Sequence, residues 1–342
     1  MEIQELPDYK AYRSEIDKYI DEPLLEYVWI VANKFLPVVD EDGFSESHAP
    51  IIFTNRWIES NMTTEERYAR FLEFFPNNTQ EDIEQYYSKR PLLDTSFKET
   101  FFEKEDMVLK VMSFNTQHCM NYITQEIDFD IIVDTIQRCE ADVVGLQEIL
   151  GEGTDPNFVA QARILAERLG FYYYFAKAID FGENNPYGIA LISRYPILST
   201  EVVFIPDPLV RKYDGYYETR VLLKTVIDVG GGLNVLVSHF GLNPDEQENA
   251  VKVVLDNIED ERFILMGDFN TVPDAKVLAP IRERLFDTAR LTDDSLFTWR
   301  TDKPYQKIDY IFTSNDIKVK SITMPKYPYS DHFPLIVEIE DT

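Results

Sequence analysis

The run Ala141-Asp142-Val143-Val144-Gly145-Leu146-Gln147-Glu148 sets a short apolar strand, residues 142–146, directly ahead of two polar residues. Reading outward, residues 129–140 carry Ile132, Ile136 and Cys139 at helical spacing. Before them, residues 108–114 form another apolar run that ends in polar residues. After them, a predicted helix over 158–169 stops at Gly170, a residue suited to a left-handed C-cap. Strands are predicted at 171–175, 189–193, 221–229 and 233–238. Asn243-Pro244 then places a cap and an N1 proline before a helix over 246–258. Final strands are predicted at 263–266, 308–313 and 335–339. Strands interleaved with fewer helices imply an α/β fold in which two sheets pack face to face as a β-sandwich flanked by helices.

Polar clusters recur where these strands end: Ser113-Phe114-Asn115, Gln147-Glu148, Ser238-His239, Gly267-Asp268-Phe269-Asn270 and Ser330-Asp331-His332. A sixth, Ile308-Asp309-Tyr310, lies within the strand before the last. Strand ends are where a sandwich gathers side chains from distant parts of the chain into one cleft. A lone Asp after a strand is usually a turn or cap, and a lone His is usually a core residue with its hydrogen bonds made. The signal is in the set.

Taken in this order, the clusters resemble the endonuclease/exonuclease/phosphatase superfamily, the DNase I-like group that also contains neutral sphingomyelinases and inositol polyphosphate phosphatases. The resemblance spans roughly residues 108–340. The run 141–148, the stretch Ile192-Ser193-Arg194-Tyr195-Pro196-Ile197 and the tail Ser330-Asp331-His332 with Pro334 are similar to bacterial members described as metal-dependent hydrolases. The resemblance implies hydrolysis of a phosphate ester. The chemistry agrees, because a nucleophile approaching an anionic phosphate needs positive charge, an activated water and help for the leaving oxygen.

Glu148 and the Asn115 amide are oxygen donors suited to Mg²⁺, with Mn²⁺ as the alternative, and Asp331 is expected to support the metal or the water. Asp268 is the expected base or orienter of water, and Asn270 a neutral donor to a phosphate oxygen. Two residues apart on an extended chain, Asp268 and Asn270 point to the same side. His332 is expected to contact phosphate as an imidazolium held by Asp309. The resemblance to phosphodiesterase branches implies that His239 protonates the leaving group. Arg220, in Glu218-Thr219-Arg220, matches a phosphate-contacting arginine or forms a structural salt bridge. One departure stands out: Tyr187-Gly188-Ile189-Ala190 places Ile189 where related hydrolases often carry Asn. His118 reads as a surface loop residue near the cleft mouth.

Composition narrows the substrate. The 342 residues carry a net charge of −28, a field that repels polyanions, whereas duplex-binding proteins gain affinity by neutralising phosphates. Residues 1–106 hold 24 Asp and Glu against 11 Lys and Arg. They read as an acidic, mainly helical extension, with a capping box at Thr63-Thr64-Glu65-Glu66. The junction at residues 95–106, with Phe97, Phe101 and Phe102 and neither Gly nor Pro, reads as packed on the catalytic region that begins at 107. Cys119 and Cys139 are not in a CxxC pair, so reduced thiols are expected. The opening residues lack the n- and h-regions of a secretory signal, and a cytoplasmic location is expected. The most apolar early stretch, 24–39, is broken by Glu26, Asn33, Lys34 and Pro37 and is too short for a membrane span of ~20 apolar residues.

The leading expectation is a metal-dependent phosphohydrolase acting on a compact ester such as a lipid headgroup, a sugar phosphate or a nucleotide. A metal-dependent nuclease is the first alternative, with Arg211-Lys212-Tyr213 and Lys303-Pro304-Tyr305 as the candidate nucleic-acid contacts. A binding protein that kept the fold and lost the reaction is the second.

Overall fold

Strand β1 (Val108–Asn115) alternates its side chains between two different cores. Leu109 and Val111 point into the space between the sheets, while Met112 and Phe114 face the helices outside. This alternation, with both faces apolar, is what makes a strand read as a continuous hydrophobic run. The computed structural model describes residues 108–122, 126–259 and 261–340. The helical extension expected over 1–106, its capping box and its junction lie outside the described residues.

Two six-stranded sheets form the sandwich. In the first, β1 is flanked by β2 (Val143–Leu150), β4 (Pro186–Ser193) and β3 (Tyr172–Asp180) on one side, and by β12 (Leu335–Glu340) and β11 (Val319–Thr323) on the other. The second runs β5 (Ile197–Ile205), β6 (Arg220–Ile227), β7 (Leu233–His239), β8 (Phe263–Asp268), β10 (Asp309–Thr313) and β9 (Phe286–Asp287). Helices α1 (Phe129–Arg138) and α2 (Gln161–Leu169) cover the first sheet, and α3 (Pro244–Leu255) and α4 (Ala279–Arg284) cover the second.

Local chemistry sets the helix ends. Asp128 caps α1 by accepting from the backbone N–H of Asp130 and Ile131. Asn243 and Glu246 form a capping box at α3, with Pro244 at its start. Gly170 ends α2 in the left-handed region at φ +69°. Helix α2 begins at Gln161, not at residue 158 as periodicity suggests, because the Gly153 N–H is bonded to the Phe158 carbonyl in a preceding loop. Both cysteines are free and buried in the core under α1 and α2. No helix among the described residues is long and apolar enough to cross a membrane.

The topology delivers the polar clusters to one end. Strands β1 and β2 are parallel, so Asn115 lies beside Gln147, and the parallel pair β7 and β8 sets His239 beside Asp268. Antiparallel β10 begins where β8 ends, which puts Asp309 opposite Asp268. Gly267 permits the close approach of β7 and β8 at this point. Its φ is +154°, and a Cβ there would sit 1.9 Å from the Ser238 carbonyl oxygen. Gly267→Ala is therefore expected to destabilise by ~2–4 kcal/mol, since backbone must move. The move would displace His239 and Asp268 together. A shift of the urea midpoint corresponding to less than about 1 kcal/mol would show that the two strands separate freely.

Candidate active site

Glu148 leaves the β2 ladder at a bulge between Leu146 and Ile149 and adopts φ +58°. Bulges re-aim side chains, and this one turns the carboxylate toward the end of β1. There the buried Asn115 amide donates from one nitrogen to Glu148 Oε1 at 3.0 Å and to Asp268 Oδ2 at 3.1 Å. Asn115 Oδ1 in turn accepts from the Gln117 N–H. The amide thus links carboxylates that come from opposite sheets.

Asp268 is 1% exposed, and its Oδ1 accepts from the Asn270 N–H. Burial, followed by the nearby Asp309 charge, pushes its carboxyl up to about 7, against the pull of His332 and the hydrogen bonds from Asn270 and Asn115. His332 lies between two carboxylates: Nδ1 is 2.8 Å from Asp309 Oδ2, and Nε2 is 3.6 Å from Asp268 Oδ2. Burial alone would lower its pKa, but Asp309, Asp331 and Asp268 outweigh that and push it up to about 10. His332 is therefore an imidazolium at neutral pH, with Nδ1–H donating to Asp309.

His239 is held in the opposite state. Arg220 Nη1 lies 3.0 Å from its Nδ1 and the Asn270 amide nitrogen 3.1 Å from its Nε2, so both ring nitrogens face donors, which disfavours a charged ring. Burial, then the Arg220 and His332 charges, drive its pKa well below the ordinary imidazole value. Nε2 also lies 3.5 Å from Asp268 Oδ2. The expected leaving-group acid would need a protonated ring, which this environment disfavours. Arg220 itself is 7% exposed and paired with Glu218 at 2.5 Å. Its guanidinium thus joins Glu218 to His239.

Asn270, at φ +47°, donates to the Phe240 carbonyl at 3.0 Å, and its amide lies 3.1 Å from His239 Nε2. Gln247 on α3 fixes the Asn270 carbonyl at 2.8 Å. Asp331 accepts from the neighbouring Ser330 hydroxyl. Burial, with the Glu148 charge adding to it, raises the Asp331 pKa against the pull of His332. Ile189 lies in the core between the sheets and brings no polar atom. The adjoining Gln147 side chain is fully buried, and neither of its amide atoms has a hydrogen-bond partner.

The nine candidate residues, Asn115, Glu148, Arg220, His239, Asp268, Asn270, Asp309, Asp331 and His332, thus share one end of the sandwich. Two neighbours escaped sequence reasoning, and a third, His118, was read only as loop surface. Lys307 is buried and donates from Nζ to the Asp309 carbonyl at 2.5 Å. Trp299 packs beside both Tyr305 and His332. His118 sits with Nε2 3.7 Å from Glu148 Oε2. The position of Lys307 two residues before Asp309 was the one available signal.

Asp268, Asp309 and His332 offer ligand atoms within 4.8 Å of one another. The Nδ1 of His332 is already engaged by Asp309, however, so these three read better as a hydrogen-bonded chain than as a convergent ligand set. The carboxylates of Glu148 and Asp331 suit a hard dication, and their mutual repulsion is what such an ion would relieve. Asn115 turns its nitrogen to Glu148 and its oxygen to the Gln117 N–H, so it would offer that oxygen to the ion only with its amide turned.

A comparison with curated proteins finds no match. Among solved structures, the chain is similar to the endonuclease/exonuclease/phosphatase from Beutenbergia cavernae DSM 12333, at 23% identity over 68% of this chain and 72% of that one, with a TM-score of 0.58. It is similar to the Bacteroides thetaiotaomicron mannosyl-6-phosphatase Bt3783 at 18% identity, over 68% and 99% of the two chains, with a TM-score of 0.54. The human Nocturnin catalytic domain with bound sulfate matches at 19% identity, over 69% and 96%, with a TM-score of 0.53. At such identities the likeness shows the DNase I-like fold. The profile of the Endonuclease/Exonuclease/phosphatase family matches residues 112–332, well over half of the sequence, and the chain belongs to that family.

Proposed function

We propose that this chain is a divalent-metal-dependent phosphohydrolase that cleaves a small or lipid-headgroup phosphate ester by in-line attack of water. The observation that carries the reading is the Asn115 amide, which joins Glu148 to Asp268 through one nitrogen. That bridge sets a candidate metal ligand and a candidate base side by side in one hydrogen-bonded unit. Glu148, Asn115 and Asp331 would hold Mg²⁺ or Mn²⁺, which when bound supplies positive charge to the phosphate oxygens and lowers the pKa of water. Asp268, with its carboxyl near 7, takes the proton of the attacking water. The His332 imidazolium, fixed by Asp309, binds a phosphate oxygen, with the neutral His239 ring beside Asp268. Asn270 adds a neutral donor beside His239.

The net charge of −28 favours compact esters over long polyanions. The nuclease reading gains one observation, the Trp299 and Tyr305 pair beside His332, which offers an aromatic face to a base. Hydrolysis of an aryl phosphodiester and of single-stranded DNA, each with Mg²⁺ and with EDTA, separates the readings. Activity on the ester lost in EDTA supports the proposal, and exclusive activity on DNA favours the nuclease.

Glu148→Gln is expected to keep the fold and to lose most activity at limiting Mg²⁺, by about 10²-fold, because a neutral amide holds a hard dication less well than a carboxylate. An unchanged Mg²⁺ dependence of kcat/KM would remove Glu148 from the metal site.

A further inference from the structure

We propose that His118 is a positioning residue for Glu148, holding its carboxylate from the side opposite Asn115 so that it is poised for the cation. The inference rests on the reading of Glu148 as a metal ligand. It starts from the backbone. Gln117, His118 and Cys119 take φ values of +46°, +59° and +57° in succession. None is glycine, and L-residues enter that region singly and against steric resistance. A loop that merely exposed a histidine to solvent would not need three of them.

Each is tied down. The Gln117 N–H donates to Asn115 Oδ1 at 3.1 Å, and the Cys119 carbonyl accepts from the Asp128 N–H at 2.9 Å. The His118 carbonyl accepts from Gln161 Nε2 at 2.7 Å, while Gln161 Oε1 accepts from the Leu150 N–H at 2.9 Å. Gln161 is fully buried on α2, so its side chain clamps the His118 loop to the strand that carries Glu148.

The ring is oriented as firmly. It packs edge-on against Tyr187 with centroids 5.4 Å apart. Its Nδ1 is buried with no hydrogen-bond partner. A buried N–H without an acceptor costs more than a bare ring nitrogen, which places the proton of neutral His118 on Nε2, the atom 3.7 Å from Glu148 Oε2. Asn115 donates to Oε1 of the same carboxylate. One oxygen of Glu148 therefore accepts from Asn115 at the end of β1, and the other faces the His118 ring of the turn that follows, at 3.7 Å. Such outer contacts orient metal-ligating carboxylates.

The test uses the full chain and Mn²⁺ as the probe, with affinity read by electron paramagnetic resonance. His118→Phe keeps a ring against Tyr187 and removes the donor, and is expected to weaken Mn²⁺ binding about 10- to 100-fold, with an unchanged melting temperature in EDTA. His118→Gln restores a donor and is expected to recover most of that loss. Mn²⁺ affinity within about twofold of wild type in His118→Phe would overturn the proposal, as would a His118→Gln variant no better than His118→Phe. In metal-free protein at about pH 8, ¹⁵N resonances of the ring are expected to report the Nε2–H form and to shift in Glu148→Gln. An Nδ1–H ring, or one indifferent to Glu148→Gln, refutes the contact itself. If Glu148→Gln leaves Mn²⁺ affinity intact while the ring signals move, the contact stands and the metal assignment falls.

Discussion

Asp268→Asn is expected to lower kcat at saturating metal by about 10³-fold or more while leaving the fold intact, since general-base catalysis alone contributes ~10²–10⁴. Asp268 Oδ2 accepts from Asn115 and Oδ1 from the Asn270 N–H, and an asparagine keeps one carbonyl oxygen for the first of these. What disappears is the charge, the capacity to take a proton and the acceptor for the Asn270 N–H. Burial and Asp309 hold that carboxyl near 7, the range in which a base is partly free and still basic enough to act. Removing a carboxylate from beside Asp309 also relieves repulsion, so the melting temperature in EDTA is expected to hold or rise. A kcat within about tenfold of wild type would move the base elsewhere. A melting temperature that collapses with kcat would recast Asp268 as structural.

The sandwich was legible because its central strands are buried on both faces and read as apolar runs. Strands β1, β2, β7 and β8 are of this kind. The edges were legible only in part: β3 was expected over its first half, whereas β5 and β11 were not. Strand β5, Ile197-Leu198-Ser199-Thr200-Glu201-Val202-Val203-Phe204-Ile205, is exposed over most of its length, and β11 is a short polar edge. An edge strand answers to one neighbour and one half-covered face, so its composition drifts toward that of a loop. Helix α4, with six residues, is too short to establish a period.

The candidate residues were legible as strand-end punctuation, and topology explains why that worked. Parallel pairing of β1 with β2 and of β7 with β8 carries four of the clusters to the same end. Residues that act through a second partner left no such mark. Lys307 is visible only once β10 is known to place the Asp309 carbonyl within reach of Nζ. Arg220 and His239 were legible as residue types, but their charge states depend on an Nη1 to Nδ1 contact between β6 and β7 that no spacing encodes. His118 looked like loop surface because nothing local announces three consecutive left-handed residues.

Asp309→Asn should act through His332 and is expected to cut kcat/KM by about 10²-fold or more, the loss of a fixed cationic donor to phosphate. The Nδ1 of His332 is bonded to Asp309 Oδ2 at 2.8 Å. The other Asp309 oxygen has no hydrogen-bond partner, so the imidazolium and nearby Lys307 are what balance this buried charge. Replacing the carboxylate with an amide of the same shape lowers the pKa of His332, because burial then acts without the Asp309 charge, which does most to oppose it. The sign for stability follows. A folded-state pKa above the ordinary 6.5 means that protonation favours the folded chain, fully below about pH 6.5, with the benefit lost as pH rises toward about 10. In EDTA, wild type is therefore expected to lose stability across that window, and Asp309→Asn to lose less of it. Chemical-shift titration of His332 in the metal-free protein reads the same change directly. An unmoved titration curve with an unaltered slope of stability against pH would separate Asp309 from His332, leaving Asp268 and Asp331 as the carboxylates that keep the ring charged.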